Sequence, residues 1–440
     1  MRLVREYLCR QHEIQVKVRN CMIATGIYNI GLRLYRMGVG LAALMGKAKA
    51  RKWLDGRKDW QSKLKSANLG NEGTIWVHAA SLGEFEQGRP VIEALRTTYP
   101  ANKILLTFFS PSGYEVRKNY QGADYVCYLP LDTAGNAREF IEIVNPALVL
   151  FIKYEFWYHY LTTLHKKQIP TLLISGIFRP GQIFFKGHGA MFRRLLEQLT
   201  RIFVQNRASL ALLEEIGIRQ VSISGDTRFD RVAALLKEGS EIPEIARLQD
   251  RKLVVAGSTW PEDEQLLGKW WEEHRPANTT LILAPHEIHN EHLTAIEAIF
   301  PKSIRFSAYR QQAGIVPEVL IIDNIGMLTT LYKYAYLAYV GGGFGKDGIH
   351  NILEPAVYSK PVIIGPVYDK YFEAVELVAA GGACVAGNSS ALTAVMEQLF
   401  NDPGFYGRTA GIAGQYILEN VGATAKVMAY IQEKRFLSKE

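Results

Sequence analysis

The chain has 440 residues, more than one hydrophobic core serves, so two domains of roughly 170–200 residues each are expected. A composition of 48% hydrophobic and 21% charged residues excludes a mainly disordered or collagen-like chain, and 38 glycines without a period imply tight turns. The net charge of +8 is uneven: residues 1–65 hold fifteen Lys/Arg against four Asp/Glu, and the remainder is slightly acidic, unlike a nucleic-acid enzyme with basic folded domains.

The N-terminal segment carries Ile23, Ile27, Ile30, Leu34, Met37, Leu41 and Leu44 at spacings of four and three, one stripe of a helix. Its longest uncharged runs, 20–32 and 37–46, fall short of the ~18–20 apolar residues that span a bilayer. Lys47, Lys49, Arg51, Lys52, Arg57 and Lys58 follow at once. Such a helix suits an anionic membrane surface; packing on the protein's own core with a solvated basic end is the plainer reading. Residues 1–20 show neither periodicity nor a signal-peptide cleavage pattern, consistent with a floppy extension and a natural start at Met22. Cys9, Cys21, Cys127 and Cys384 lie far apart, which excludes a local zinc ribbon and favours a reducing, cytoplasmic setting.

From residue 74 onward, apolar β-rich runs alternate with helical stretches. Strands are predicted near 74–80, 103–109, 125–129, 147–153, 171–178 and 201–205, with helices at about 84–98, 111–120, 133–144, 155–168 and 207–217. After a polar stretch around 226–250 the rhythm restarts, with strands near 252–257, 280–284, 318–323, 336–340, 361–364 and 383–386. The fold class is α/β, two doubly wound Rossmann-like domains facing a cleft. The expected division is a basic membrane-associating segment 1–65, a first domain 66–240 and a second domain 241–440. Two helices over 404–436 could cross back to the first domain.

Candidate chemistry gathers where strands end. His78-Ala-Ala-Ser-Leu-Gly-Glu84 runs from a strand into a helix, placing Glu84 to take a proton from a hydroxyl, or merely to complement the helix dipole. Glu155 follows another apolar strand amid aromatic residues, as a functional carboxylate or a cap. Arg228, in GDTRFD, is a phosphate partner or half of a surface salt bridge. Ser258 or Thr259 would cap the helix after 252–257 and could help cradle a phosphate. His286, His289 and His292 are three apart, a spacing that wanders round a helix and argues against zinc; His286 alone is the more credible site residue.

The strongest local pattern is YVGGGFGKDGIHNILEPAVYSKPVIIGP, 339–366: a strand, a Gly-rich loop and a helix expected to begin at His350, whose N–H groups would bind phosphate. Lys346 is followed by Asp347, which excludes a Walker A loop. Gly343, Gly345 and Gly348 match GxGxxG, but after about the fourth strand of the domain, so a plain NAD site is not expected.

The pairing of HAASLGE with GIHNILEPA resembles the 3-deoxy-D-manno-octulosonic acid (Kdo) transferases of lipopolysaccharide synthesis, over nearly everything from residue 22 onward. The resemblance implies an inverting glycosyltransferase of the GT-B fold, without metal or cofactor. CMP-Kdo would be its donor and a lipid A precursor (lipid IVA) its acceptor, at the cytoplasmic face of the inner membrane. By the same resemblance the general base falls on Glu84, and transition-state stabilisation on Glu155 and Arg228. CMP binding falls on Pro285, His286, Ile325, Gly326, Met327 and Asn351-Ile352-Leu353-Glu354. Arg228 stands where the family usually has Lys, His286 where it has Arg, and Met327 where it has Glu. Two alternatives from the residues alone are a UDP-sugar transferase or epimerase, and a non-catalytic, membrane-docked nucleotide-sugar or lipid-binding protein.

Overall fold

A computed structural model describes residues 2–70, 73–237, 239, 241–312 and 314–437, with side chains from residue 23 onward. The chain forms two compact units, Met1–Arg231 with Gly422–Glu440, and Val232–Val421.

In the first unit, seven parallel strands are ordered β3-β2-β1-β4-β5-β6-β7. They are β1 (Thr74–Ala79), β2 (Ile104–Phe108), β3 (Tyr125–Tyr128), β4 (Pro146–Ile152), β5 (Thr171–Gly176), β6 (Arg201–Val204) and β7 (Val221–Ile223). Both faces are covered, which is why β1, β2 and β4 read as nearly continuous apolar runs rather than alternating ones. Trp76 and Phe151 point into one core layer, Val77 and Ile152 into the other. Strand order reverses between β1 and β4, the point in such sheets where ligands collect at the carboxyl ends.

The second unit repeats the plan, in the order β10-β11-β9-β8-β12-β13-β14. Its strands are β8 (Lys252–Thr259), β9 (Thr279–Pro285), β10 (Ser303–Arg305), β11 (Val319–Ile321), β12 (Leu337–Val340), β13 (Val362–Ile364) and β14 (Ala383–Val385). Order reverses at the β8–β12 pair. The doubly wound α/β class expected from the β-rich runs is therefore present in both units. Strand β10 has no counterpart among the predicted runs. It is three residues long, includes Arg305, and exists through its pairing with β11.

The last helix, Ala423–Glu433, packs on the first unit. Val427, Met428 and Ile431 join the core layer of Val77 and Phe85. Asp230 accepts hydrogen bonds from the Gly422 and Thr424 N–H groups at 2.5 and 2.6 Å, where the exposed N-terminus of that helix needs acceptors.

Helix α1 (Arg2–Leu44) is followed by α2 (Ala48–Asp55) and α3 (Trp60–Ser66). Residues 2–20, expected as a floppy extension, belong to the backbone of α1, and their side chains lie outside the described residues, as does Met22. The Tyr28 hydroxyl donates to Asp132 at 2.7 Å, and Asn29 Oδ1 lies 2.7 Å from His159 Nε2, so α1 is pinned by its polar side. The apolar stripe is not on any core: Ile23, Ile27, Ile30, Leu34, Met37, Leu41 and Leu44 are all more than half exposed. That corrects the plainer expectation of a helix packed by its stripe. No described helix is long and apolar enough to cross a membrane.

Candidate functional site

The carboxyl end of β1 leads through Ala80 and Ser81 into α4 (Leu82–Thr98), whose first turn carries Glu84. Ser-x-x-Glu is the pattern of a capping box, in which the serine would bind a helix N–H. Here the Ser81 hydroxyl donates to the Glu84 carboxylate instead and makes no cap bond. Glu84 is thus held as a hydrogen-bonded carboxylate rather than used to close the helix.

Glu155 lies just after β4, ahead of the helix Tyr158–Lys166, so it does not sit in the helix predicted from residue 155. Its Oε2 accepts from the Trp157 indole at 2.6 Å and lies 3.0 Å from His78 Nε2 on β1. His78 is fully buried, and its Nδ1 lies 2.8 Å from the Thr107 hydroxyl on β2. Thr107 accepts in turn from Trp76 Nε1 at 2.8 Å. The donor count closes with the Nε2–H tautomer of His78: Trp76 donates to Thr107, Thr107 to Nδ1, and Nε2–H to Glu155. Two donors therefore fix Glu155, which is only 8% exposed.

Arg228 opens the helix Thr227–Leu235 beyond β7. Its Nε and Nη2 donate to Asp226 Oδ2 at 2.9 and 2.7 Å, and its backbone N–H donates to Oδ1 at 2.9 Å. Burial alone would raise the Asp226 carboxyl, but the charge and hydrogen bonds of Arg228 outweigh it and hold the pKa low. Gln87, one turn along α4 from Glu84, reaches both Asp226 oxygens at 3.3–3.4 Å. Tyr154, whose hydroxyl accepts from Arg179 at 3.4 Å, feels the charges of Glu84 and Arg228. Burial raises its pKa, Glu84 raises it further, and Arg179 and Arg228 oppose the rise. Lys153, beside it, holds a left-handed φ of 66°, a strained backbone at the end of β4. Glu84, Glu155 and Arg228 thus share the carboxyl side of one sheet. Of their partners, His78 and Asp226 entered the sequence reading only as members of the HAASLGE and GDTRFD segments, and Thr107, Trp157 and Gln87 were assigned no role there.

In the second unit the nucleotide-binding candidates also lie beyond strand ends. Pro285 ends β9, and the next residue, His286, stacks on Trp260 with centroids 4.8 Å apart. His286 also lies 4.5 Å from the His350 ring, and Trp260 Nε1 donates to His350 Nε2 at 3.1 Å. Burial first, and then the neighbouring His286, push the His350 pKa down to about 4. The helix expected to start at His350 starts at Leu353 and is a single turn, Leu353–Ala356, because Asn351 Oδ1 takes the Leu353 N–H at 3.1 Å. Asn351 Nδ2 donates to Glu354 at 3.0 Å, and Thr329 Oγ1 donates to the other Glu354 oxygen at 2.9 Å. That second bond ties the helix Leu328–Tyr334, which follows the Ile325-Gly326-Met327 turn, to the Asn351–Glu354 segment. Ile325 is 87% exposed and Gly326 has φ +98°, whereas Ile352 and Leu353 are core residues with only backbone to offer a ligand.

The Gly-rich loop is built by close approach. Gly342 has φ +91°, and a Cβ on Gly343 would stand 2.5 Å from the Gly365 Cα. Asp263 organises its entrance, accepting from Trp260 N–H, Tyr339 O–H and Gly342 N–H at 3.0, 2.7 and 2.8 Å. This displaces the cap expected at Ser258 or Thr259. The N-cap is Trp260, Ser258 has φ 53°, and Thr259 donates to Glu264 at 2.8 Å. The three spaced histidines diverge: His292 Nε2 is 2.9 Å from Glu264, and His289 caps the helix Asn290–Ile299. Among the described residues there is no group of three or more His, Cys, Asp or Glu suited to a metal ion.

Residues 57–231 match the profile of the 3-deoxy-D-manno-octulosonic-acid transferase (kdotransferase) family. Relatives bearing the name 3-deoxy-D-manno-octulosonic acid transferase include that of Haemophilus influenzae, 27% identical, aligned over 80% of this chain and 85% of its own. That of Bordetella pertussis is 25% identical over 93% of this chain and 99% of its own. Among solved structures, the UDP-GlcNAc 2-epimerase of Neisseria meningitidis superposes with TM-score 0.57 over 82% of this chain and 100% of its own, at 16% identity. A Listeria monocytogenes structure described as a UDP-N-acetylglucosamine 2-epimerase gives 0.58 over 84% and 98%, at 15%. The structural likenesses establish the GT-B type of fold, and the match over residues 57–231, with relatives at 25–27% identity, makes the chain similar to the Kdo transferases and supports a glycosyltransferase.

Proposed function

We propose that the protein transfers Kdo from CMP-Kdo to a lipid A precursor, with inversion at the anomeric carbon, in lipopolysaccharide synthesis. Glu84 takes the proton from an acceptor hydroxyl as that oxygen bonds to the anomeric carbon. The bond from that carbon to the CMP phosphate oxygen breaks, and CMP leaves with the electron pair. Arg228 offsets the charge growing on the phosphate, and Glu155, fixed by His78 and Trp157, stabilises the positive charge developing on the sugar. The CMP moiety is held by Pro285, His286, Ile325, Gly326, Met327 and Asn351 to Glu354. The observation that carries the reading is the Ser81–Glu84 hydrogen bond, which replaces a capping box by an oriented carboxylate at a strand end.

The exposed stripe of α1 and the lysines after it support docking on an anionic membrane surface, at the cytoplasmic face of the inner membrane.

The test is CMP release from CMP-Kdo, with and without a lipid A precursor, for wild type and Glu84→Gln. Acceptor-dependent release that falls by ~10² or more in the variant is expected. Release that ignores the acceptor, or survives the substitution, moves the base elsewhere. No release from CMP-Kdo, together with turnover of a UDP-sugar, overturns the donor.

A further inference from the structure

A groove of about 620 Å³ lies beside the Glu84 loop, within the first unit, and nothing in the site described so far uses it. Val39 and Ala42 of α1 form one wall, Trp53 of α2 the next, and Phe109 and Pro111, between β2 and α5 (Pro111–Arg117), the third. The lining is predominantly apolar, and no acidic side chain contributes among the described residues. Lys47 and Lys49 stand exposed at its rim. The indole N–H of Trp53 is buried and has no hydrogen-bond partner among the described residues.

The groove is pre-formed. Tyr35 and Phe109 pack on Trp53 with ring centroids 5.7 Å away in each case. Arg57 lies 3.9 Å over the Trp53 ring and donates to the carbonyls of Trp53, Phe109 and Leu129 at 3.0, 2.8 and 2.8 Å. One guanidinium thus clamps α2 to the carboxyl end of β2, and a ligand entering would not have to order these walls.

The groove also adjoins both candidate carboxylates. The Ser110 N–H donates to the Ala80 carbonyl at 2.7 Å, one residue before the serine that holds Glu84. The Phe109 ring is 4.7 Å from the ring of Trp157, which donates to Glu155. A molecule seated there would extend from the exposed stripe of α1 toward Glu84.

We propose that this groove is the socket for one acyl chain of the acceptor, with an anionic group of the same molecule paired to Lys47 and Lys49. The apolar walls take hydrocarbon, the lysines take phosphate, and the backbone hydrogen bond from Ser110 to Ala80 joins the groove's lining to the loop that carries Glu84. This rests on the reading of the acceptor as an acylated, phosphorylated lipid. It adds that the chain is recognised by the enzyme and not only by the surrounding membrane.

The test uses the whole 440-residue chain, in detergent solution and on anionic vesicles, with CMP-Kdo and two acceptors: a lipid A precursor and the same phosphorylated disaccharide stripped of acyl chains. Ala42→Trp fills the groove, and Lys47→Ala with Lys49→Ala empties its rim. The ratio of kcat/KM for acylated over deacylated acceptor is expected to fall at least about tenfold in Ala42→Trp, the loss appearing in KM. The double lysine variant, which leaves the packing intact and guards against misfolding of the first, should raise KM for the acylated acceptor. An unchanged ratio in both variants overturns the socket. So does a loss seen only on anionic vesicles and not in detergent, since the groove would then serve bulk lipid. If the wild type transfers Kdo to neither acceptor, the acceptor reading itself fails, and the socket with it.

Discussion

His78 Nε2 on β1 lies 3.0 Å from Glu155 Oε2 beyond β4, across the point where the first sheet reverses its strand order. His78 is fully buried and takes its direction from Thr107, so its imidazole can do little except present a proton to that carboxylate. It acts as a positioning residue for Glu155. His78→Phe keeps the packing but removes one of two donors from Glu155. A lost charge-assisted hydrogen bond of about 1.5–3 kcal/mol corresponds to a fall in kcat of roughly 10–100-fold. The donor KM should move by less than about threefold. His78→Gln, whose amide can still donate, should recover part of kcat. Equal losses in Phe and Gln variants, or a loss confined to KM, would show that the ring only fills space.

Asp226 holds Arg228 through three hydrogen bonds, and its pKa is depressed as a result. A carboxyl lower in the folded than in the unfolded state contributes stability above its unfolded pKa of about 3.9, and loses that contribution as pH falls through the folded value. Asp226→Asn should therefore cost about 1–3 kcal/mol near pH 7, since the Arg228 side chain is a quarter exposed and partly screened. The difference from wild type should shrink below about pH 4. Chemical denaturation at pH 7 and pH 3.5 measures it, and a difference that does not change with pH would mean the pair is not charge-assisted.

How legible this was depends on where each interaction is encoded. Runs such as Thr74–Ala79 and Pro146–Ile152 are buried on both sheet faces, so their apolar continuity announced parallel strands directly. The strand-end positions of Glu84 and Glu155 were legible because each follows such a run, whereas Arg228 follows β7, three residues long and only partly buried. Their supports were not, since His78 meets Glu155 across 77 positions and Gln87 meets Asp226 across 139. The stripe of α1 could be read from spacing, but its exposure could not, because a stripe has the same period whether it faces a core or a membrane. The helix predicted from His350 failed for a local reason: Asn351 uses its own side chain on the Leu353 N–H and delays the first turn.

Asp263 is the clearest case of a buried acceptor with several dependants. It is 1% exposed and takes hydrogen bonds from Trp260, Tyr339 and Gly342. Asp263→Ala leaves those donors without their acceptor at the entrance to the Gly-rich loop. Three unsatisfied buried donors at about 1–3 kcal/mol each make a loss of roughly 3–9 kcal/mol the expectation. Asp263→Asn keeps one oxygen and should lose less. Urea unfolding monitored by tryptophan fluorescence ranks the two, and a loss under about 1 kcal/mol for the alanine variant would mean water replaces the carboxylate.

His350 gives the second unit a pH dependence of opposite origin to that of Asp226. Its Nε2 accepts from Trp260 at 3.1 Å, which suits the neutral ring, and burial with His286 at 4.5 Å lowers its pKa from 6.5 to about 4. The unfolded chain therefore binds a proton at this position as pH falls below 6.5, while the folded chain does not until about 4. Folding is penalised across that window. The expected loss from this residue alone is about 2 kcal/mol between pH 7 and pH 5. His350→Gln, which cannot titrate, should show a flatter pH dependence by about that amount, whatever its stability at pH 7. If wild type and variant fall in parallel, His350 accepts its proton in the folded state, and the stacked rings of Trp260 and His286 tolerate a cation beside them.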